Sequence, residues 1–123
     1  MTKTKKQFVK YLEGLVKKYQ KVLRLDLSDI TIEEDPKIEY VAIGVNYPYK
    51  NSIIYFNDKS FGDYKTGKVK DFTSYIIHEL CHIYTEPLYI KALHRFTDRE
   101  EIENERERLT ESICQLIRRC LQN

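Results

Sequence analysis

The sequence predicts an α+β fold, a single domain over residues 1–123. Three observations carry that reading. Apolar residues recur at helical spacing in the N-terminal segment, the period shortens to two across the middle, and two further helical stretches close the chain, the last heavily charged. The expected architecture is an N-terminal helix, a small three-stranded, mainly antiparallel sheet, a helix bearing the pattern H-E-x-x-H, and a long C-terminal helix. A chain of 123 residues builds one modest core and not two. With 41% hydrophobic and 33% charged residues it has the balance of a globular protein rather than a disordered one.

Phe8, Tyr11, Leu12, Leu15, Val16, Tyr19, Val22 and Leu23 predict an amphipathic helix over about Thr4 to Leu23, with lysines on its solvated face. Leu25-Asp26-Leu27 and Ile30-Thr31-Ile32 alternate as a short strand that Pro36 breaks. A second strand runs from Ile38 to Asn46, with Gly44 as a candidate bulge, and a third from Ser52 to Asn57 after a turn at Tyr47–Asn51. Short connections favour an antiparallel meander. The glycines and polar residues of Asp58 to Gly67 mark a loop. The motif helix begins at Lys68 or Asp71 and runs to about Thr85, since Pro87 requires a stop or restart there. Leu88 to Phe96 reads as a separate short helix. Thr97-Asp98-Arg99-Glu100 is a capping box that opens the last helix, Asp98 to about Leu121.

The bulk properties exclude some functions. A formal charge of +2 does not imply a nucleic-acid partner. No apolar run is long enough to cross a bilayer. The start, Met1-Thr2-Lys3-Thr4-Lys5-Lys6, leads straight into the amphipathic pattern, with no apolar leader. The three cysteines, Cys81, Cys114 and Cys120, are odd in number, lack C-x-x-C spacing and fall on predicted helices. Free thiols and a cytoplasmic location are therefore expected.

The stretch that carries chemistry is His78-Glu79-Leu80-Cys81-His82, inside the apolar run from Phe72 to Tyr84. Residues four apart share a helix face, so both imidazoles can address one metal ion. Glu79 can face the same ion and take a proton from a water there. A catalytic zinc ordinarily has three protein ligands. A third histidine six residues after the second is absent, because Leu88 stands there. The C-terminal helix offers Glu103, Glu105, Glu107 and Glu111. Glu111 points away from the apolar stripe of Leu109, Ile113 and Ile117, and helix angle leaves the other three open. Glu107 is preferred, because Thr110 behind it is small enough for close helix approach. Glu111, one turn on, could then accept a hydrogen bond from a ligand imidazole. Taken alone, Glu100–Arg108 is an ordinary solvated run of Glu–Arg pairs.

His78-Glu79-Leu80-Cys81-His82, followed by Glu86-Pro87-Leu88, resembles the small zincin-like metallopeptidases of phages and prophages. The strand Ser52–Phe56 and the segment Glu107–Cys114 are similar to that family's strand before the motif helix and to its third-ligand helix. The latter also resembles the Glu helix of thermolysin-like enzymes. The resemblance covers about Thr31 to Leu121. It implies a zincin fold whose edge strand borders the cleft, zinc held by His78, His82 and Glu107, and Glu79 as the base. Cys114 departs from the more common Ala or Gly, yet is small enough for close packing.

The expected activity is hydrolysis of a peptide bond in a peptide or protein substrate, with neither membrane nor nucleic acid as partner. The third strand is expected to be the sheet edge, open to strand addition by an extended peptide. Tyr84, Tyr89, His94 and Arg95 are candidates to stabilise the oxyanion. The competing reading is a metal-binding but non-hydrolytic phage adaptor or inhibitor that keeps the fold.

Overall fold

The computed structural model describes residues 3–93 and 99–122. Among them the order is α1 (Lys5–Val22), β1 (Asp29–Glu34), β2 (Val41–Val45), β3 (Asn51–Phe56), α2 (Asp58–Thr66), α3 (Thr73–Leu93) and α4 (Arg99–Gln122). The fold is α+β, four helices with a small three-stranded mixed sheet. The predicted helix opened by Thr97 and Asp98, the end of the predicted Leu88–Phe96 helix, and the candidates His94 and Arg95 involve positions outside the described residues.

α1 starts where the sequence allows a reciprocal cap. Thr4 Oγ1 accepts from the Gln7 N–H at 3.2 Å, and the Thr4 N–H donates to Gln7 Oε1 at 2.9 Å. Its apolar face buries Phe8, Leu12, Val16 and Tyr19. The segment after it is not a strand. The Gln20 amide donates to the carbonyls of Leu25 and Ser28, which meets their hydrogen-bonding needs locally, and Leu27 is 80% exposed. β1 therefore begins only at Asp29.

The sheet order is β1-β3-β2, and this corrects the expected meander. β3 pairs in parallel with β1 and antiparallel with β2, so it is the central strand and not the edge. The unbroken apolar run from Ile53 to Phe56 suits a central strand. Residues 35–40 are long enough to carry the chain past the end of β3. The crossing is pinned by the Asp35 N–H on the Phe56 carbonyl at 2.9 Å and by the Asn57 amide on the Ile38 carbonyl at 2.9 Å. β2 covers only part of the predicted Ile38–Asn46, and its register with β3 is continuous, so Gly44 makes no bulge. A Cβ at Gly44 would stand 3.3 Å from Tyr55 Cε2: the glycine leaves room for the tyrosine ring lying across it.

The expected loop after β3 is helix α2. Asn57 and Ser60 form a reciprocal cap at its start, and Gly67, with φ of 77°, supplies the left-handed residue that ends it. Phe61 and Tyr64 on this helix join Phe8, Tyr11 and Phe72 in an aromatic cluster. The main core collects Phe8, Leu12, Ile54, Phe56, Phe72, Ile76, Ile77 and Leu80 from α1, β3 and α3. α4 contributes little to it. Along its length only Thr110 and Cys114 are buried.

α3 runs through Pro87 without a break, where the sequence predicted a stop and a second short helix. Residues beyond the proline stay helical because Tyr89 is buried against α4 and its hydroxyl donates to Glu103 at 3.0 Å. Proline has no N–H for the Ile83 carbonyl, and its ring crowds the preceding turn. Pro87→Ala should therefore raise the unfolding free energy by about 1–3 kcal/mol. Urea denaturation measures this, and an unchanged or lower midpoint contradicts it.

Candidate metal centre

His78, Glu79 and His82 lie on the face of α3 turned to α4 and to the open edge of β2. One donor atom from each can be chosen so that all three fall within 4.8 Å of one another, a group able to hold a metal ion. The imidazole rings are edge to face, with centroids 5.1 Å apart. α4 brings Glu107 onto the pair: Oε2 stands 3.4 Å from His78 Nε2, and Oε1 stands 3.3 Å from His82 Nε2. These distances are long for a hydrogen bond. Each Nε2 meets a different oxygen of the one carboxylate, at about the 3.3–3.6 Å that parts neighbouring donors around a tetrahedral ion with bonds of about 2.0–2.2 Å, and Glu107 lies outside the group whose donors gather within 4.8 Å.

The far nitrogen of each ring is occupied. His78 Nδ1 lies 2.5 Å from Glu111 Oε2. A carboxylate only accepts, so Nδ1 carries the proton and Nε2 keeps the free lone pair. His82 Nδ1 faces Thr110 Oγ1 at 3.4 Å, Thr110 meets Thr85 Oγ1 at 3.0 Å, and Thr85 donates to the His82 carbonyl at 3.4 Å. That run of hydrogen bonds has one consistent direction, and it also leaves His82 Nε2 unprotonated. Close helix approach at Thr110 and Cys114 makes both arrangements possible.

The electrostatics of the cleft fit a dication. Among the described residues, Glu39, Glu79, Glu86 and Glu107 line one lobe with two cations, Lys37 and Arg106. With Glu79 ionised the four carboxylates outnumber the two cations by two, and with Glu79 protonated by one. Burial, reinforced by the Glu107 charge, pushes the Glu79 carboxyl up to about 8. Glu86 is also raised, mainly by burial and against the pull of Arg106. Burial lowers His82 to about 4, which keeps it a neutral imidazole at neutral pH, the form that ligates metals.

A second group, His78, Glu111 and Cys114, also gathers its donors within 4.8 Å. Burial pushes the Cys114 thiol up to about 11, so it stays protonated, and His78 Nδ1 is already engaged by Glu111. This group reads as support for His78. Cys81, Cys114 and Cys120 are all free.

The other sequence candidates fall elsewhere. Glu103 is held by Arg99 at 2.9 Å and by the Tyr89 hydroxyl, and Glu105 by Arg108 at 3.0 Å. Tyr84 lies two residues past His82, on the opposite side of α3, where its hydroxyl donates to the Leu23 carbonyl. Both tyrosines are thus removed as oxyanion donors. The structure adds Glu86 and Arg106. Glu86 was detectable as the position four residues after His82 on the same helix face; Arg106 was hidden in a charge run.

The cleft extends to both sides of the centre, about 440 Å³ toward Lys37 and Arg106 and about 420 Å³ toward Tyr75 and Arg118, with Glu39, Val41 and Glu79 common to both lobes. β2, not β3, therefore borders it. Comparison of the chain with protein-family models, with curated proteins and with solved structures finds no match. Among the described residues no helix is long and apolar enough to cross a membrane.

Two outcomes are expected. Glu107→Ala should weaken zinc binding in a chelator competition by more than the about 10–100-fold typical of a lost supporting hydrogen bond, and Glu103→Ala or Glu105→Ala should barely change it. Zinc affinity should also rise with pH. The raised Glu79 contributes stability to the metal-free fold that is present below its ordinary range and lost as pH rises through about 8. The lowered His82 contributes stability that is present above its ordinary value and lost as pH falls toward about 4. Binding a cation ionises Glu79 and releases its proton, so calorimetry from pH 6 to 8 should show tightening that is shallower in Glu79→Gln.

Proposed function

We propose that the chain is a zinc-dependent peptidase with a zincin-like fold, working in a reducing compartment such as the cytoplasm. One observation carries the reading. A buried carboxyl, Glu79, gathers with the two imidazoles in a group able to hold a metal ion, and the two oxygens of Glu107 stand 3.4 Å and 3.3 Å from their Nε2 atoms. His78, His82 and Glu107 would hold the ion. A zinc ion bound there supplies Lewis acidity to the attacking water and the scissile carbonyl.

The chain's own residues do the rest. Glu79 takes the proton from the water as its oxygen bonds to the carbonyl carbon. It then delivers that proton to the amine nitrogen as the C–N bond breaks, leaving a carboxylate and an amine. Its upward shift by burial suits a group that must both accept and return a proton near neutrality. A divalent ion would oppose that shift and keep Glu79 ionised before attack. Glu111 and the Thr110–Thr85 pair hold the imidazoles in the required tautomer. An extended substrate can lie along the free edge of β2, where main-chain hydrogen bonds tolerate varied sequence.

Zinc-loaded protein should hold about one ion per chain by elemental analysis. Glu79→Gln should keep that stoichiometry and the wild-type melting temperature, while turnover of a cleaved peptide falls by about 10²–10⁴-fold. Equal cleavage by the variant would abolish the proposed role of Glu79. Zinc uptake without cleavage of any peptide in a broad library would favour the non-hydrolytic adaptor.

A further inference from the structure

Arg106 has no task in the hydrolytic scheme. Its Nε is buried and has no hydrogen-bond partner. Nη1 stands 3.6 Å from Glu86 Oε2 and Nη2 stands 3.5 Å from Glu107 Oε1. Both exceed the about 2.7–2.9 Å of a charge-assisted N–H···O bond. The guanidinium carbon lies 3.9 Å from the centroid of the Tyr89 ring, and Glu103 fixes that ring through its hydroxyl. Stacking therefore holds the fork flat between two carboxylates without closing it on either. Arginine cannot lose its proton, so the charge is permanent. Lys37, the other cation on this lobe, is exposed.

We propose that Arg106 is the anion receptor of the centre: its terminal N–H groups, beside Glu107, bind an anionic oxygen of the substrate. The proposal rests on the zinc-centre reading above. An ion held by His78, His82 and Glu107 takes up the charge of Glu107 and relieves Arg106 of that attraction. When Glu79 takes the proton from water, one negative charge passes to the substrate, and among the described residues Arg106 is the half-buried cation facing that space. The two tyrosine hydroxyls considered for this role are committed to Leu23 and Glu103. The same chemistry serves two sources, the carbonyl oxygen that gains charge during attack or a carboxylate the substrate carries throughout.

Cobalt(II)-loaded protein, titrated with inorganic phosphate and followed by visible absorption, tests this without any turnover. Arg106→Gln should weaken phosphate binding by about tenfold or more. Arg106→Lys should weaken it less, since it keeps the charge and loses only the fork. Cobalt affinity from chelator competition should stay near wild type in both. Tyr89→Leu removes the stacking surface, should give an intermediate loss, and decides the matter if Arg106→Gln does not fold. With a cleaved peptide, a fall in kcat on uncharged substrates assigns the receptor to the carbonyl oxygen. A rise in KM confined to substrates bearing a carboxylate assigns it to that group. Metal retained with unchanged phosphate affinity in Arg106→Gln overturns the role of Arg106 alone. A cobalt loss as large as that of Glu107→Ala makes Arg106 a positioning residue for Glu107 and overturns the receptor. Failure of the wild type to take up cobalt overturns the centre, and this inference with it.

Discussion

Thr110 and Cys114 let α4 lie against α3 closely enough for one threonine hydroxyl to meet both Thr85 and His82. The cleft follows from that approach. Glu107, one turn before Thr110, reaches the two Nε2 atoms, and Glu111, one residue after it, reaches the back of His78. A larger side chain at Thr110 would push the helices apart. A shift of even about 1 Å in the donors is enough to spoil a site of this kind.

That geometry is expensive in charge. Burial holds both His82 and Glu79 in their neutral forms, the imidazole above about 4 and the carboxyl below about 8, so between those values neither carries a charge. A divalent cation would change only one of them: it would keep the imidazole neutral and draw the proton from Glu79, creating the charge that burial alone resists. A buried carboxyl held far above its ordinary range, in a fold whose core is otherwise apolar, marks the place where sequence serves chemistry rather than stability.

Much of this was legible in the residues. Spacing of four along an apolar helix is enough to pair His78 with His82, and the small Thr110 with Glu111 behind it singled out Glu107 from its neighbours. Strand order was not legible, because pairing depends on which faces are covered, and the connection over residues 35–40 gives no sign that it crosses the end of β3. α2 was missed although its cap residues Asn57, Ser60 and Gly67 were in view; the glycines inside and after it weighed toward a loop. Pro87 misled because tertiary packing of Tyr89 outweighs a local penalty of about 3 kcal/mol. Arg106 was hidden by its surroundings, since in a run of alternating Glu and Arg nothing separates the one arginine that turns inward.

The sparse burial along α4 has a further consequence. A helix of 24 residues that fully buries only two of them is held by Cys114, by the half-buried Ile113 and Ile117, and by the polar contacts at the centre. An ion held by His78 and His82 on α3 and by Glu107 on α4 would couple occupancy of the cleft to docking of the helix. Stripping such an ion would loosen α4 ahead of the α1–β3–α3 body, seen as faster amide exchange and proteolytic nicking in that segment. An ion bound there would thus act as a removable strut between two helices, and metal supply would bear on how long the chain survives among proteases.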